Sequence, residues 1–140
     1  MHPYRYQVSL RLWHPNRDLS GATRVFRLRP RFLRKAGEPR QTPKGTPLPG
    51  IWRESYWSAE LTPRKGIWSK RMDLETFLAK SLKRLSPKRA YISRLRATDG
   101  RADLFIGLFG NGSFGAELQP DLLAAAARVG IALSLDVYPD

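Results

Sequence analysis

Arginine and lysine are the residues whose number and position carry the clearest chemical meaning in this sequence. Of 140 residues, 25 are Lys or Arg and 12 are Asp or Glu, a formal net charge of +13. The charge is uneven, because residues 1–96 hold 23 basic and 6 acidic side chains whereas residues 97–140 hold 2 and 6. An Arg-rich surface attracts polyanions, since the planar guanidinium suits phosphate and carboxylate groups. The competing interpretation is that this charge is simply solvated.

The densest basic run lies in residues 27–50, hereafter the arm. Five prolines and three glycines in this stretch leave little room for regular structure, so we expect a long loop within the domain. Basic side chains there and on the first strand are candidate sequence-independent contacts to nucleic-acid phosphates. The candidates are Arg27, Arg29, Arg31, Arg34, Lys35, Arg40 and Lys44 of the arm, together with Arg5 and Arg11.

A second candidate surface is one face of the sheet that the strand patterns predict. Its side chains are Arg5, Gln7, Arg11, Trp13, Tyr56, Phe105, Phe109 and Tyr138. Aromatic rings interleaved with Arg on an open sheet stack the unpaired bases of RNA in some folds. The Arg/Lys-Gly-aromatic signature of that RNA-binding family is absent. We therefore expect this face to be covered, by the arm or by a dimer partner, with a stacking platform as the alternative.

Residues for metal binding or nucleophilic catalysis are scarce. The sequence has no cysteine, which excludes disulfides, thiolate metal sites and cysteine nucleophiles. Its two histidines, His2 and His14, have no second ligand at helical or hairpin spacing and are expected at the surface. No phosphate-binding glycine loop, zinc-protease or serine-hydrolase motif occurs. We predict no metal site and no cofactor.

Carboxylates in the last third of the chain could in principle form an acid–base pair. They are Asp103, Glu117, Asp121 and Asp136. A structural interpretation is simpler, because Asp121 favours the positive end of a helix and Asp136 can pair with Arg5 or Arg11 on the polar sheet face. The sequence therefore predicts a protein that is not an enzyme.

Alternating apolar and polar residues predict the strands that position these side chains. Strands are expected at residues 4–13, 54–61, 102–109 and 131–138. Gly110-Asn111-Gly112 is a strong turn signal, so residues 113–118 should pair back as a short hairpin strand.

Helices are predicted between these strands. Asp18 is expected to cap a short helix whose buried face holds Leu19, Ala22 and Val25 or Phe26. Asp73 caps a second, amphipathic helix that ends at Ser86-Pro87, and a third helix runs from Pro120 to Gly130. The fold class is α+β: one mixed or antiparallel sheet of about five strands, with two to three helices on one face, in a single domain of residues 1–140.

No apolar run approaches the roughly 20 residues that span a bilayer, and the first residues lack the apolar stretch of a signal peptide. We therefore expect a cytoplasmic protein without a membrane partner.

Several short segments carry a family resemblance. An alternating strand and short helix lead into Arg34-Lys35-Ala36-Gly37-Glu38 and then Gly50-Ile51-Trp52, a capped helix follows, and residues 118–123, Gly130 and residues 135–138 close the chain. This pattern resembles a family of small bacterial proteins known as domain of unknown function 4279, over nearly the whole chain. The resemblance implies a bacterial, single-domain α+β protein. It carries over no catalytic or binding residue, because the family has no established activity.

Together, these features predict a non-enzymatic binding module for an anionic macromolecule, with nucleic acid as the first candidate. The alternative is a protein-interaction module, such as an immunity- or antitoxin-type binder of an acidic protein. A third class is an enzyme acting on a small anionic metabolite. The oligomeric state stays open, with a dimer as one option.

Overall fold

A six-stranded main sheet, a two-stranded hairpin and three long helices make up the computed structural model, which describes residues 2–139. The strands are β1 (Tyr4–His14), β2 (Phe32–Arg34), β3 (Pro39–Gln41), β4 (Pro47–Ile51), β5 (Ser55–Glu60), β6 (Ile67–Trp68), β7 (Arg101–Gly110) and β8 (Ala132–Pro139). The helices are the single-turn α1 (Ala22–Phe26), then α2 (Leu74–Leu85), α3 (Arg89–Ala97) and α4 (Pro120–Val129).

The main sheet is mixed and has the strand order β2-β5-β1-β7-β8, with β6 pairing beside β1. All pairs are antiparallel except β7 and β8, which are parallel and are connected through α4. A parallel pair needs such a crossover connection, because a tight turn can only reverse the chain. The predicted mixed α+β class is confirmed.

One face of the sheet forms the core. Alternate residues of β1, such as Tyr6, Leu10 and Leu12, are completely buried, as is Trp57 of β5. The long helices contribute Leu78, Ile92, Leu122 and similar side chains to the same cluster. Side chains successive along a strand point to opposite faces, so the residues between these core positions lie on the face without helices.

The helix signals at Asp73 and Pro120 are confirmed. The Asp73 side chain accepts a hydrogen bond from the Thr76 backbone N–H at 2.7 Å and caps α2. Helix α4 begins at Pro120, and Gly130 ends it with a φ of 88°, a conformation that favours glycine. None of the helices in residues 2–139 is long and apolar enough to cross a membrane.

The prediction of an irregular loop over residues 27–50 was wrong. Phe32–Arg34 adds β2 to the free edge of β5, and β3 pairs with β4 in a separate hairpin. Prolines fit this hairpin because each strand has one unpaired edge, where a missing N–H costs nothing. Backbone hydrogen bonds from Thr42 to Thr46 and from Gly45 to Thr42 close the turn.

The predicted hairpin strand over residues 113–118 was also wrong. Both edges of β7 are occupied by β1 and β8, so this segment has no strand to join. The Ser113 carbonyl instead accepts from the His2 backbone N–H at 2.8 Å, and the Phe114 ring stacks on Tyr4 with ring centres 5.2 Å apart.

The first helix lies on the predicted face but has a different cap. Leu19, Ala22 and Phe26 are buried as expected. The residue before α1 is Gly21, and Asp18 instead accepts a hydrogen bond from the Ser20 N–H at 2.9 Å in the preceding turn. The prediction that Asp18 caps this helix was therefore wrong.

Candidate functional site

Arginine side chains and aromatic rings alternate on the sheet face that carries no helix. Register places Arg5 opposite Phe109 and Arg11 opposite Asp103, and Phe109 is in turn beside Tyr138 of β8. We call this surface the arginine–aromatic face. Its members are Arg5, Arg11, Trp13, Tyr56, Arg101, Phe105, Phe109 and Tyr138.

At one end of this face, Arg5 lies over Phe109, which belongs to a pair of stacked rings. Its guanidinium carbon is 4.4 Å from the centre of the Phe109 ring, and that ring stacks on Tyr138 at 4.9 Å with planes 14° apart. The guanidinium also donates to the Lys65 carbonyl at 2.7 Å, which holds it in place. Trp68 of β6 is beside Arg5 and 53% exposed. Solvent therefore reaches a cation and several rings together.

In the middle of the face, Arg11 is fixed by a carboxylate. Its Nε and Nη2 donate to the two oxygens of Asp103 at 2.9 and 2.6 Å, and the Ser134 hydroxyl donates to the same carboxylate at 2.6 Å. The hydrogen bonds that Arg11 donates to Asp103 raise the pKa of Arg11 above its ordinary value. Arg11 also lies over Phe105 at 4.3 Å and Trp13 at 4.8 Å. Because Asp103 compensates its charge, Arg11 orients the neighbouring rings more than it attracts a distant anion.

At the other end, rings and guanidinium groups line an open groove of about 460 Å³. Trp13 packs beside Tyr56 with ring centres 5.4 Å apart, and Arg34 lies 4.4 Å above Trp52. Arg101 lies over Trp13 at 4.3 Å. We call this the aromatic groove. It is lined by Arg11, Trp13, Phe32, Arg34, Trp52, Arg53, Glu54 and Tyr56.

The structure brings only part of the predicted basic set to these surfaces. Arg5 and Arg11 lie on the arginine–aromatic face, Arg34 lines the groove, and Arg40 lies over Trp52 at 5.5 Å. Arg31 is over Phe32 at 5.4 Å and forms an ion pair with Glu60.

The other predicted basic residues are exposed and peripheral. Arg27 caps the C-terminus of α1 with a left-handed backbone, and Arg29 follows in the connection to β2. Lys35 begins the turn that the Glu38 N–H closes, and Lys44 is in the β3–β4 turn. These side chains can contact only a ligand that extends beyond the sheet.

Five groove and face residues were missed from the sequence. Phe32 lies in the arm, and Trp52 and Arg53 follow it directly. Glu54 begins one predicted strand, and Arg101 directly precedes another. Alternate residues Phe32 and Arg34 share one face of β2, and this alternation was the signal in the sequence that could have indicated a strand there.

The arm was expected to cover the sheet face, and in residues 2–139 its first strand joins the edge of the sheet. β2 extends the sheet beyond β5, and β3 and β4 pair with each other. The arm therefore lengthens the arginine–aromatic face toward Trp52.

The ion pair expected for Asp136 is absent from the described residues. Asp136 accepts from the Tyr138 hydroxyl at 3.1 Å, so the prediction that it pairs with Arg5 or Arg11 was wrong. Within residues 2–139, no three His, Asp or Glu side chains are grouped to hold a metal ion.

His14 is buried, contrary to the expected surface position, whereas His2 is exposed. The Nδ1 of His14 accepts from the N–H groups of Asn16 and Arg17, so Nε2 carries the proton and donates to the Thr98 hydroxyl at 2.8 Å. Burial lowers the pKa of His14, with the nearby Arg17 charge acting in the same direction. This histidine is a neutral structural link between the end of β1 and the end of α3.

Comparison with known proteins identifies one family. A family model described as a domain of unknown function (DUF4279) matches residues 2–140. No curated protein and no solved structure matches the chain.

Proposed function

Because the chain belongs to the DUF4279 family, which assigns it no activity, we propose from its own surface that it binds single-stranded nucleic acid. The ligand lies across the arginine–aromatic face, and the arm adds phosphate contacts. One observation carries this proposal: guanidinium groups and aromatic rings are interleaved on a sheet face that no helix of the described chain covers.

The rings favour single strands over duplexes. Unpaired bases expose their faces and stack on aromatic side chains, each stack contributing about 1–3 kcal/mol. Tyr138 offers an exposed ring at one end of the face, and Trp13 and Tyr56 are partly exposed at the other end. A duplex hides its base faces and therefore gains only the electrostatic part of the interaction.

The charge of the arm supplies the rest of the affinity. Lys35, Arg40 and Lys44 are exposed residues of the arm, and Arg40 lies over Trp52 of the groove. Each phosphate contact to a single strand adds about 0.7 to the slope of log affinity against log salt concentration. An acidic protein partner, the alternative, would use the same charges but would gain nothing from base stacking.

The test is a fluorescence-polarisation titration of the full chain against a labelled 12-nucleotide single strand and the matched duplex, at two salt concentrations. We expect tighter binding of the single strand and a steep loss of affinity in salt. Lys35→Ser, Arg40→Ser and Lys44→Ser together should lower the salt slope by about 2.

A matched control removes the same charge elsewhere. Lys80→Ser, Lys83→Ser and Arg84→Ser are exposed substitutions on α2, on the opposite side of the sheet. They should leave the slope unchanged. An equal decrease of the salt slope in both triple variants would overturn the proposal, as would the absence of binding at low salt.

A further inference from the structure

The aromatic groove has the composition of a pocket for one flat aromatic ligand. Its walls are rings from separate parts of the chain: Trp13 of β1, Phe32 of β2, Tyr56 of β5, and Trp52 between β4 and β5. Its volume of about 460 Å³ lies within the roughly 300–1,000 Å³ of small-molecule sites. Several aromatic rings along one groove suit a planar ligand such as a nucleobase better than a flexible chain.

Among residues 2–139, Glu54 is the only carboxylate that lines the groove. Its Oε2 is 3.5 Å from Nη1 of Arg101, an ion pair longer than a good hydrogen bond, and 44% of its side chain is exposed. An ionised carboxylate only accepts hydrogen bonds, and its two oxygens can receive two parallel donors. The groove therefore offers a bidentate acceptor beside a stacking surface.

Guanine is the base that matches this acceptor. The Watson–Crick edge of guanine presents the N1–H and an N2–H side by side, so both carboxylate oxygens can be satisfied. Adenine and cytosine present an amino donor next to a ring-nitrogen acceptor, and uracil presents one N–H between two carbonyls. Each of these places an acceptor against Glu54, where two acceptors repel.

The arginines supply the complementary contact for a phosphate. Arg34 and Arg53 line the groove, and Arg53 is exposed, whereas Arg11 is compensated by Asp103. A phosphate attached to the bound nucleoside can accept from these guanidinium groups. We propose that the aromatic groove is a base pocket that selects guanine nucleotides. This inference rests on the proposed function, since it assigns a base preference to one end of the same surface.

The test titrates the full chain with GMP, AMP, CMP and UMP and follows tryptophan fluorescence. A second titration uses a labelled 12-nucleotide oligouridine and the same oligonucleotide with one central guanine. A bidentate contact discriminates between bases by about 5- to 150-fold. We expect a preference in that range for GMP and for the guanine-containing strand.

Glu54→Gln should abolish this preference, so that the strand with one central guanine binds no more tightly than oligouridine. The matched control is Glu60→Gln, which makes the same charge change at a carboxylate that pairs with Arg31 outside the groove. The control should keep the preference.

Each failure has its own signature. Equal binding of both strands would overturn the guanine pocket and leave the proposed function standing. Selective GMP binding without binding of either strand would support the pocket and overturn the proposed function. An equal loss of all four nucleotides in Glu54→Gln would show that Glu54 does not select the base, which overturns the inference.

Discussion

Removing either partner of the Arg11–Asp103 pair should destabilise the fold by unequal amounts. The Asp103 side chain is 7% exposed and that of Arg11 is 24% exposed. Arg11→Met leaves a buried carboxylate with Ser134 as its remaining donor, and losing one partner of a buried ion pair costs about 3–5 kcal/mol. Asp103→Asn leaves a guanidinium that already reaches water, so we expect a smaller loss of about 1–2 kcal/mol.

The assay is urea unfolding followed by far-ultraviolet circular dichroism, with the free energy of unfolding taken from the transition of each variant. The double variant should lose less than the sum of the two single losses, because neither charge is then left alone. This account of the pair would be refuted if Asp103→Asn lost as much unfolding free energy as Arg11→Met, or if both variants lost under about 0.5 kcal/mol.

Two further predictions concern the scaffold. The pKa of His14 is lower in the folded chain, so as the pH falls His14 is protonated first in the unfolded chain, and the free energy of unfolding should decline below about pH 6.5. His14→Gln should remove that part of the decline in urea midpoints measured from pH 8 to 5. Asp73→Ala removes the hydrogen bond from the Thr76 N–H and should lower the free energy of unfolding by about 1 kcal/mol. A loss below about 0.3 kcal/mol in the same urea assay would contradict the capping role.

Periodicity made the central elements predictable. β1 is long and strictly alternating, so its core residues and its outward Arg5, Arg11 and Trp13 could be assigned from spacing alone. The cap at Asp73 and the glycine at Gly130 likewise act through local backbone chemistry. Local signals of this kind depend little on the rest of the chain.

The misassigned segments depend on contacts between distant residues. β2 forms because β5 offers a free edge, and the 113–118 segment does not pair because β8 occupies β7. Pairing of this kind is decided by competition for an edge, which a local pattern does not report.

The same limit applied to the site. The rings of β1 and β7 could be assigned to one face, but the approach of Trp13 to Phe32 and Trp52 required knowing where the arm folds. The partner of Arg11 could not be assigned either, because it depends on the register between β1 and β7. That register places Asp103 opposite Arg11.

The most direct test of the central claim is the affinity of ring variants for a labelled 12-nucleotide single strand. Tyr138→Ala and Trp52→Ala remove rings from opposite ends of the surface without changing charge, and Leu123→Ala is a matched exposed control on α4. Loss of one stacked base corresponds to about 1–3 kcal/mol, or about 5- to 150-fold weaker binding. We predict that loss for each ring variant, with affinity for the duplex unchanged. Ring variants that bind the single strand as tightly as Leu123→Ala would contradict the account.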